Sequence, residues 1–234
     1  MPLNEHGVLR QLLVAQKVAP SLALRLAQYG QSVLEANQRF NLTGAQTPVE
    51  MLAHITDALS IVPYVGDPHV DVGSGAGFPA VPVALATGVE IVLIEASTKK
   101  AAFLSEILAD FNLRGQVLAE RAERAAHDPS LRERFASATA RAVSSAPAVA
   151  ELTVPFLRLG GQAILQRGRP SSAEADALAD AALLLGARLL QIAQLSTGSI
   201  FLLQKDRPTP SRFPRKPGLP HKRPLCWRNS PSPH

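Results

Sequence analysis

The chain has 234 residues, of which 46% are apolar and 18% charged, and its net charge is +5. This composition excludes a largely disordered protein, and the single cysteine, Cys226, excludes an intramolecular disulfide. No window reaches the roughly 18 uninterrupted apolar residues of a membrane-spanning helix, and the first residues lack the layout of a secretory signal. We therefore expect a protein of the cytoplasm with no membrane partner.

Residues 1–62 are predicted to form a small helical subdomain. Apolar residues recur at near-helical spacing between Val8 and Phe40, with predicted breaks at Pro20 and Gly30. These helices are expected to precede the main domain.

A third helix of this subdomain is predicted to begin near Pro48 and to run to about Ile61 or Val62. Thr47-Pro48-Val49-Glu50 supplies an N-cap, a first-turn proline and a capping-box glutamate. His54 and Asp57 lie three residues apart and share a face of this helix. Because the neighbouring sequence offers no third ligand, we favour a structural or substrate-side role for the pair and expect no metal site.

Residues 63–206 alternate short apolar runs with helical stretches, as is typical of an α/β fold with a parallel sheet and crossover helices. Strands are predicted around 69–72, 90–95, 115–119, 138–143, 161–166 and 199–204, and residues 186–190 can add another. Helices are predicted at Ala80–Thr87, Lys99–Phe111, Ser130–Phe135, Ala148–Leu157 and Ala173–Leu185. The count predicts a doubly wound, Rossmann-like sheet of about seven strands.

Residues 207–234 form a basic, proline-rich tail. From Asp206 onward there are seven Lys and Arg residues against one acidic residue, and eight of the 19 prolines. The prolines predict no helix or central strand, but an extended ribbon over a surface or a partner. Such a ribbon suits phosphate better than it suits a core. A disordered, solubilising tail is the alternative.

The loop after the first predicted strand carries Asp71, Gly73, Gly75 and Gly77. Glycines let the backbone turn sharply and approach a ligand closely. The stretch from Gly75 to Ala80 also fits the G-x-G-x-x-A fingerprint of nicotinamide-binding proteins, so the glycines leave two cofactors open. With Asp71 included, the pattern D-x-G-x-G-x-G resembles the first motif of class I S-adenosylmethionine-dependent methyltransferases, whose acidic residue lies near the methionyl amino group.

Two further carboxylates follow predicted strands. Glu95 ends the second strand, where a carboxylate can accept hydrogen bonds from two vicinal ribose hydroxyls. Ala122 and Glu123 follow the third strand, where a methyltransferase usually contacts the adenine ring. An ordinary solvated carboxylate beside Arg121 and Arg124 is the alternative for Glu123.

Taken together, these segments closely resemble the RsmG family, also called glucose-inhibited division protein B, of bacterial small-subunit ribosomal RNA methyltransferases. The landmarks in chain order are residues 40–43, 54–57, 71–79, 97–104, 140–142 and 214–220. The resemblance implies S-adenosylmethionine as cofactor and N7 of one guanine in 16S ribosomal RNA as the methyl acceptor. It also implies 16S ribosomal RNA, or the small ribosomal subunit, as the partner, and we expect a monomer.

The candidate site residues follow from these motifs and from the resemblance. Cofactor contacts are expected from Asp71, Gly73, Gly75, Gly77, Phe78, Glu95, Ala96, Ser97, Ala122, Glu123 and Arg141. Because guanine N7 presents an unprotonated lone pair, no general base is expected, and Arg141 is expected to orient the cofactor and the target base. RNA contacts are expected from Lys99, Lys100, Arg167, Arg215, Lys216, Lys222 and Arg223, with ordinary surface charge as the alternative.

Two stretches depart from the family pattern. Arg167-Gly168 stands where many relatives carry Lys-Gly, which keeps the charge but changes its geometry. Residues 197–201 stand where relatives carry a Gly-x-x-Arg-His stretch, which puts an RNA contact from that edge in doubt. A nicotinamide-dependent oxidoreductase and a non-catalytic RNA-binding module are the competing functions.

Overall fold

The computed structural model describes residues 5–141, 144–168, 171–194 and 198–225. In these ranges helices and strands alternate around one seven-stranded sheet, as predicted. The helices are α1 (Glu5–Ala15), α2 (Pro20–Asn37), α3 (Pro48–Leu59), α4 (Ala80–Thr87), α5 (Thr98–Asp110), α6 (Ala122–Ala125), α7 (Ala146–Thr153), α8 (Ser172–Leu185) and α9 (Leu219–Lys222). The strands are β1 (His69–Val72), β2 (Ile91–Ile94), β3 (Gly115–Leu118), β4 (Phe135–Arg141), β5 (Leu157–Arg167), β6 (Ala187–Gln194) and β7 (Ser199–Lys205).

The strand order is β3-β2-β1-β4-β5-β7-β6. Strands β1 to β5 pair in parallel, whereas β7 is antiparallel to both β5 and β6. Because β1 lies between β2 and β4, the chain reverses its direction across the sheet at β1. The loops that leave these three strands therefore meet at one edge, which is where open α/β sheets bind ligands.

Helices cover both faces of the sheet, so β1 and β2 are buried on both sides. On one face, α1 to α5 pack against a core that includes Leu26, Ile55 and Leu93. On the other face, the core includes Val72 and Phe156. The amino-terminal helices thus share a core with the sheet. Among the described residues, no helix is both long and apolar enough to cross a membrane.

The predicted break at Gly30 is wrong, because α2 runs from Pro20 through Gly30 to Asn37. A Cβ at Gly30 would lie 2.6 Å from Leu9 Cδ2 and 2.9 Å from Met51 Cγ. The glycine therefore allows α1 and α3 to pack closely against α2, at the modest cost of one glycine within a helix. The predicted start of α3 is confirmed, since both hydrogen bonds of its capping box are present.

The helix predicted at Ser130–Phe135 is also wrong. Asp128 Oδ1 accepts hydrogen bonds from the amide and the hydroxyl of Ser130, both 2.8 Å long, in a local turn that competes with helix formation. Glu133 has a φ of 56°, in the left-handed region, and Phe135 is already the first residue of β4.

Residues 206–225, which we call the carboxyl-terminal segment, pack against the sheet domain. Arg132 donates hydrogen bonds to the carbonyls of Thr209 (2.8 Å) and Phe213 (2.9 Å). The prediction that the tail contains no helix is wrong, because α9 covers Leu219–Lys222, with the proline Pro220 in its first turn, where a missing amide is tolerated. Residues 226–234, which include Cys226 and Arg228, lie outside the described part of the chain.

Candidate active site

The glycine loop, residues 73–79, connects β1 to α4 at the carboxyl end of β1, where the loops after β1, β2 and β4 meet. Gly73, Gly75 and Gly77 have φ values of 70°, 57° and 100°, all in the region that favours glycine. A Cβ at Gly77 would lie 2.7 Å from Val81 Cγ2. The conformation of the loop therefore requires glycine at these positions. The loop is also held by two backbone hydrogen bonds, because the amides of Gly73 and Ser74 donate to the carbonyl of Ile94 at 2.8 Å and 3.2 Å.

The amino-terminal helices hold this loop in place. The Tyr29 hydroxyl on α2 donates a 2.8 Å hydrogen bond to the Ala76 carbonyl. The Phe78 ring is buried, with its centroid 5.3 Å from that of Tyr29 and 5.6 Å from that of His54. His54 thus packs beneath the loop. Among the described residues, no group of three or more His, Cys, Asp or Glu side chains is arranged to hold a metal.

Glu95 joins the loop that follows β1 to the loop that follows β2. Its Oε2 accepts the amide of Gly75 at 2.9 Å, and its Oε1 accepts the amide of Ser97 at 2.8 Å. An ionised carboxylate has about four acceptor sites, so each oxygen keeps capacity for a further donor such as a hydroxyl. Glu95 can therefore organise the loops and bind a ribose at the same time.

Asp71 belongs to a buried chain of polar side chains that sequence reasoning missed. The Thr139 hydroxyl donates to Asp71 Oδ1 at 2.6 Å, and His69 Nε2 lies 2.9 Å from the same hydroxyl oxygen. His69 Nδ1 lies 2.7 Å from the Ser137 hydroxyl. Burial lowers the pKa of His69 to about 3, so its ring is neutral. Because the Thr139 hydroxyl donates its hydrogen bond to Asp71, its oxygen can accept a hydrogen bond from Nε2 of His69.

This buried polar network leaves a recognisable pattern in the sequence. Ser137 and Thr139 alternate with alanines in β4, and His69 and Asp71 alternate with valines in β1. The register pairs His69 with Ser137 and Asp71 with Thr139, so all four side chains share one face of the sheet. Polar residues at period two in apolar strands indicate a buried network.

A cavity of about 170 Å³ opens beside these loops. Five of the predicted cofactor residues line it, namely Gly73, Glu95, Ala96, Ala122 and Glu123. Its other described lining residues are Val72, Ile94, Glu120, Arg121, Leu152 and His221. The described lining residues do not include Asp71, Gly75, Gly77, Phe78 or Ser97, which lie in or under the surrounding loops. The backbone of Arg141 ends β4, and its side chain lies outside what the structure describes.

Glu123 lines the cavity and is almost fully buried. Its Oε1 accepts the amide of Gly218 at 2.8 Å and Nη2 of Arg121 at 3.2 Å. Burial raises the pKa of Glu123, but the amides of Gly218 and of Glu123 itself, together with the charge of Arg121, outweigh burial and leave the pKa lowered. Glu123 is therefore an ionised, buried carboxylate and not a solvated surface residue.

The residues predicted to contact RNA fall into two groups. Lys99, Lys216, Lys222 and Arg223 are exposed, and Lys100 is half-buried. In contrast, the Arg167 guanidinium bonds Glu174 at 2.8 Å and also donates to the Ser144 carbonyl. Arg215 pairs with the fully buried Glu151 at 2.6 Å. Both guanidiniums are already paired within the protein, and RNA contact by Arg167 and Arg215 stays a prediction. In residues 197–201, the stretch that differs from the family pattern, Thr197 lies outside the described residues.

Comparison with known proteins bears on what the site binds. A family model described as "rRNA small subunit methyltransferase G" matches residues 23–203. Proteins with that same name are similar to the chain. The relative from Dehalococcoides mccartyi is 35% identical over 84% of this chain and 89% of its own length. The relative from Trichormus variabilis is 36% identical over 95% of this chain and 98% of its own length.

Solved structures share the fold at low sequence identity. An O-methyltransferase from Bacillus cereus in complex with SAH has a TM-score of 0.54, is 19% identical and covers 76% of this chain and 91% of its own. A branched-chain polyamine synthase from Thermus thermophilus also has a TM-score of 0.54, at 13% identity, covering 82% of this chain and 70% of its own. At these identities the likeness establishes the architecture.

Proposed function

The chain belongs to the rRNA small subunit methyltransferase G family, and on that premise we propose that it methylates N7 of one guanine in 16S ribosomal RNA. Family membership makes it a small-subunit ribosomal RNA methyltransferase that uses S-adenosylmethionine. It also decides between the two cofactors that the glycine loop left open, in favour of the methyl donor over nicotinamide. The acceptor atom and the residues that act on it are the proposal.

The residues around the cavity fit the cofactor. Gly73 offers backbone at the wall, where a side chain would occupy the space of a ligand. Glu95 keeps acceptor capacity for ribose hydroxyls beyond its bonds to the Gly75 and Ser97 amides. Ala122 leaves room for a flat ring beside the ionised Glu123. We propose that these four residues, with Ala96, hold the adenosyl part of the cofactor.

Apart from Arg141, the remaining predicted cofactor residues are proposed to support these contacts from within or under the surrounding loops. They are Asp71, Gly75, Gly77, Phe78 and Ser97. The Thr139 bond orients Asp71 at the carboxyl end of β1, the strand end from which a carboxylate can reach the methionyl amino group directly or through water. Gly75 and Ser97 fix Glu95, and Phe78 fixes the loop through Tyr29 and His54.

The proposed chemistry needs positioning more than proton transfer. The bound cofactor supplies a methyl group activated by its sulfonium charge. Guanine N7 is unprotonated at neutral pH, so no residue has to remove a proton before attack. The protein contributes by holding the base in line with the methyl carbon, and such positioning can supply roughly 7–11 kcal/mol in favourable intramolecular models. We assign this orienting role to Arg141, the last residue of β4.

The RNA surface is proposed to consist of basic side chains around the same edge of the sheet. Lys99 and Lys100 lie in the first turn of α5, which begins at Thr98, and Lys216, Lys222 and Arg223 belong to the carboxyl-terminal segment. Phosphate contacts of this kind position RNA without reading its sequence. We further propose that the protein acts as a monomer in the cytoplasm, where the small ribosomal subunit is found.

The observation that carries the proposal is the wall formed by Gly73, Glu95 and Glu123 at the ligand edge of a chain with this family membership. The test is incorporation of labelled methyl groups from S-adenosylmethionine into purified small ribosomal subunits. We expect transfer to 16S ribosomal RNA. Subunit binding without methyl transfer would instead support a non-catalytic RNA-binding module.

A further inference from the structure

His221 lies at the cofactor cavity although it is far along the chain from the glycine loop. It is on α9, within the carboxyl-terminal segment, and it lines the cavity together with Arg121 and Glu123. An exposed imidazole offers a flat aromatic face and a ring nitrogen that can donate or accept a hydrogen bond. Both features suit contact with a purine nucleoside.

The segment is fastened beside the cavity by a buried ion pair. Arg215 Nε lies 2.8 Å from Glu151 Oε1, and Arg215 Nη2 lies 2.6 Å from Glu151 Oε2. The Arg215 amide donates to Oε1 as well, at 2.8 Å. Glu151 is fully buried on α7, and the next residue, Leu152, lines the cavity. The same turn of α7 therefore holds the segment and contributes to the cavity wall.

A second hydrogen bond fastens the segment to a residue of the cavity wall. The Gly218 amide donates to the carboxylate of Glu123, which is also a lining residue. Gly218 has a φ of 81°, and it directly precedes α9. The conformation at Gly218 thus sets both the bond to Glu123 and the placement of His221 three residues later.

The start of the segment is anchored independently of the cavity. The Lys205 side chain is fully buried, and its Nζ bonds Thr209 Oγ1 at 2.6 Å and Glu133 Oε1 at 3.0 Å. The amide of Thr209 donates to that same Glu133 oxygen at 2.7 Å. Fixed at Thr209, Arg215 and Gly218, the segment presents α9 to the cavity as part of the folded protein.

We propose that the carboxyl-terminal segment is the closing wall of the cofactor cavity, and that His221 is a binding residue for the adenosyl half of S-adenosylmethionine. The assignment to the adenosyl half follows from its neighbours, because Ala122 and Glu123 line the same cavity and Glu123 is bonded to Gly218, three residues before His221. The proposal rests on the proposed function for the placement of the cofactor. It assigns to this segment a role in binding the methyl donor, separate from any contact with RNA.

The first test is the affinity of the purified full-length protein for S-adenosylhomocysteine, measured by calorimetry without RNA. We expect His221→Ala to raise Kd about tenfold. Arg207→Ala is the matched control, because Arg207 is exposed on the same segment and is not among the described lining residues. We expect this control to bind within about twofold of the wild type. Equal affinity of His221→Ala and wild type would overturn the role of His221.

The second test follows amide hydrogen exchange of residues 212–225 in the wild-type protein. We expect saturating S-adenosylhomocysteine to slow exchange in this segment, including at Gly218, because a ligand held by Glu123 stabilises the wall bonded to it. Unchanged exchange in the segment, with slowed exchange in the glycine loop, would overturn the closing wall while leaving the proposed function intact. Failure of the wild type to bind S-adenosylhomocysteine at all would instead contradict the proposed function.

Discussion

The hydroxyl of Tyr29 donates a hydrogen bond to the carbonyl of Ala76, which ties α2 to the glycine loop. The bond is 2.8 Å long and buried, and it joins residues 47 positions apart. The amino-terminal helices are therefore part of the machinery that shapes the cofactor loop.

Tyr29→Phe keeps the ring but leaves the buried carbonyl of Ala76 without this donor. We expect the free energy of unfolding to fall by about 1–3 kcal/mol, the cost of one unsatisfied buried group. Affinity for S-adenosylhomocysteine should fall as well, because the loop loses its support. Urea unfolding and calorimetry measure the two effects. Tyr64→Phe, at the only other tyrosine in the sequence, is the control and should change neither. Wild-type affinity in the Tyr29 variant would show that the loop holds its shape unaided.

Glu95→Gln changes charge with little change in shape. The amide group has one acceptor oxygen and one donor nitrogen, so one of the amides of Gly75 and Ser97 would face a donor. We expect affinity for S-adenosylhomocysteine to fall at least about tenfold. Glu90→Gln serves as the control, since Glu90 is exposed just before β2 and should leave affinity unchanged. If both variants bind alike, Glu95 has no special role in the site.

His69 gives stability a defined dependence on pH. Its pKa is about 3 in the folded protein, below the ordinary value of 6.5, because burial penalises the charged ring. Between these values the unfolded chain binds one more proton than the folded protein, so stability falls as pH decreases through this window. From pH 7.5 to 5.0 the wild type should lose about 2 kcal/mol more than His69→Gln.

Urea unfolding of both proteins at the two pH values measures this difference. The other titrating groups, including Glu123, are present in both proteins, so their contributions cancel. Parallel losses in wild type and variant would mean that His69 titrates normally in the folded state.

The RNA surface can be tested without removing the carboxyl-terminal segment. Deletion from residue 207 would expose buried Glu151 and open the cavity, so it cannot isolate RNA contacts. Combined substitution of Lys216, Lys222 and Arg223 by glutamine should reduce the slope of log affinity against log salt by about 0.7 for each lost phosphate contact with single-stranded RNA. Arg10→Gln, exposed on α1, should leave the slope unchanged. An unchanged slope in the triple variant would remove these residues from the RNA surface.

The strands and helices of the α/β domain could be predicted because the spacing of apolar residues is a property of each segment's own sequence. The prediction failed at residues 130–135, where a local turn replaces the helix, and at Gly30, where distant neighbours decide the local structure. Gly30 reads as a helix break in sequence, but the approach of Leu9 and Met51 explains why glycine sits within a helix.

The candidate site, too, was predictable where its residues follow a local sequence pattern and not where a distant partner decides their contacts. The strand-end positions of Gly73, Glu95 and Glu123 are visible in the sequence, and the structure brings these three together at one cavity. The basic charge of the tail was visible too, but the partner of Arg215 is Glu151, 64 positions earlier. Because this pairing is long-range, the local sequence could not show that Arg215 also anchors the segment internally.

The most direct test of the central claim is a map of N7-methylguanine in 16S ribosomal RNA from cells with and without this gene. We expect one guanine that carries N7-methylation in cells with the gene and no such methylation at that position in its absence. Restoration by the wild-type gene, but not by a Glu95→Gln gene whose product accumulates to the wild-type level, would tie the modification to the site. An identical N7-methylguanine map in both strains would show that this protein does not methylate N7 of a guanine in 16S ribosomal RNA.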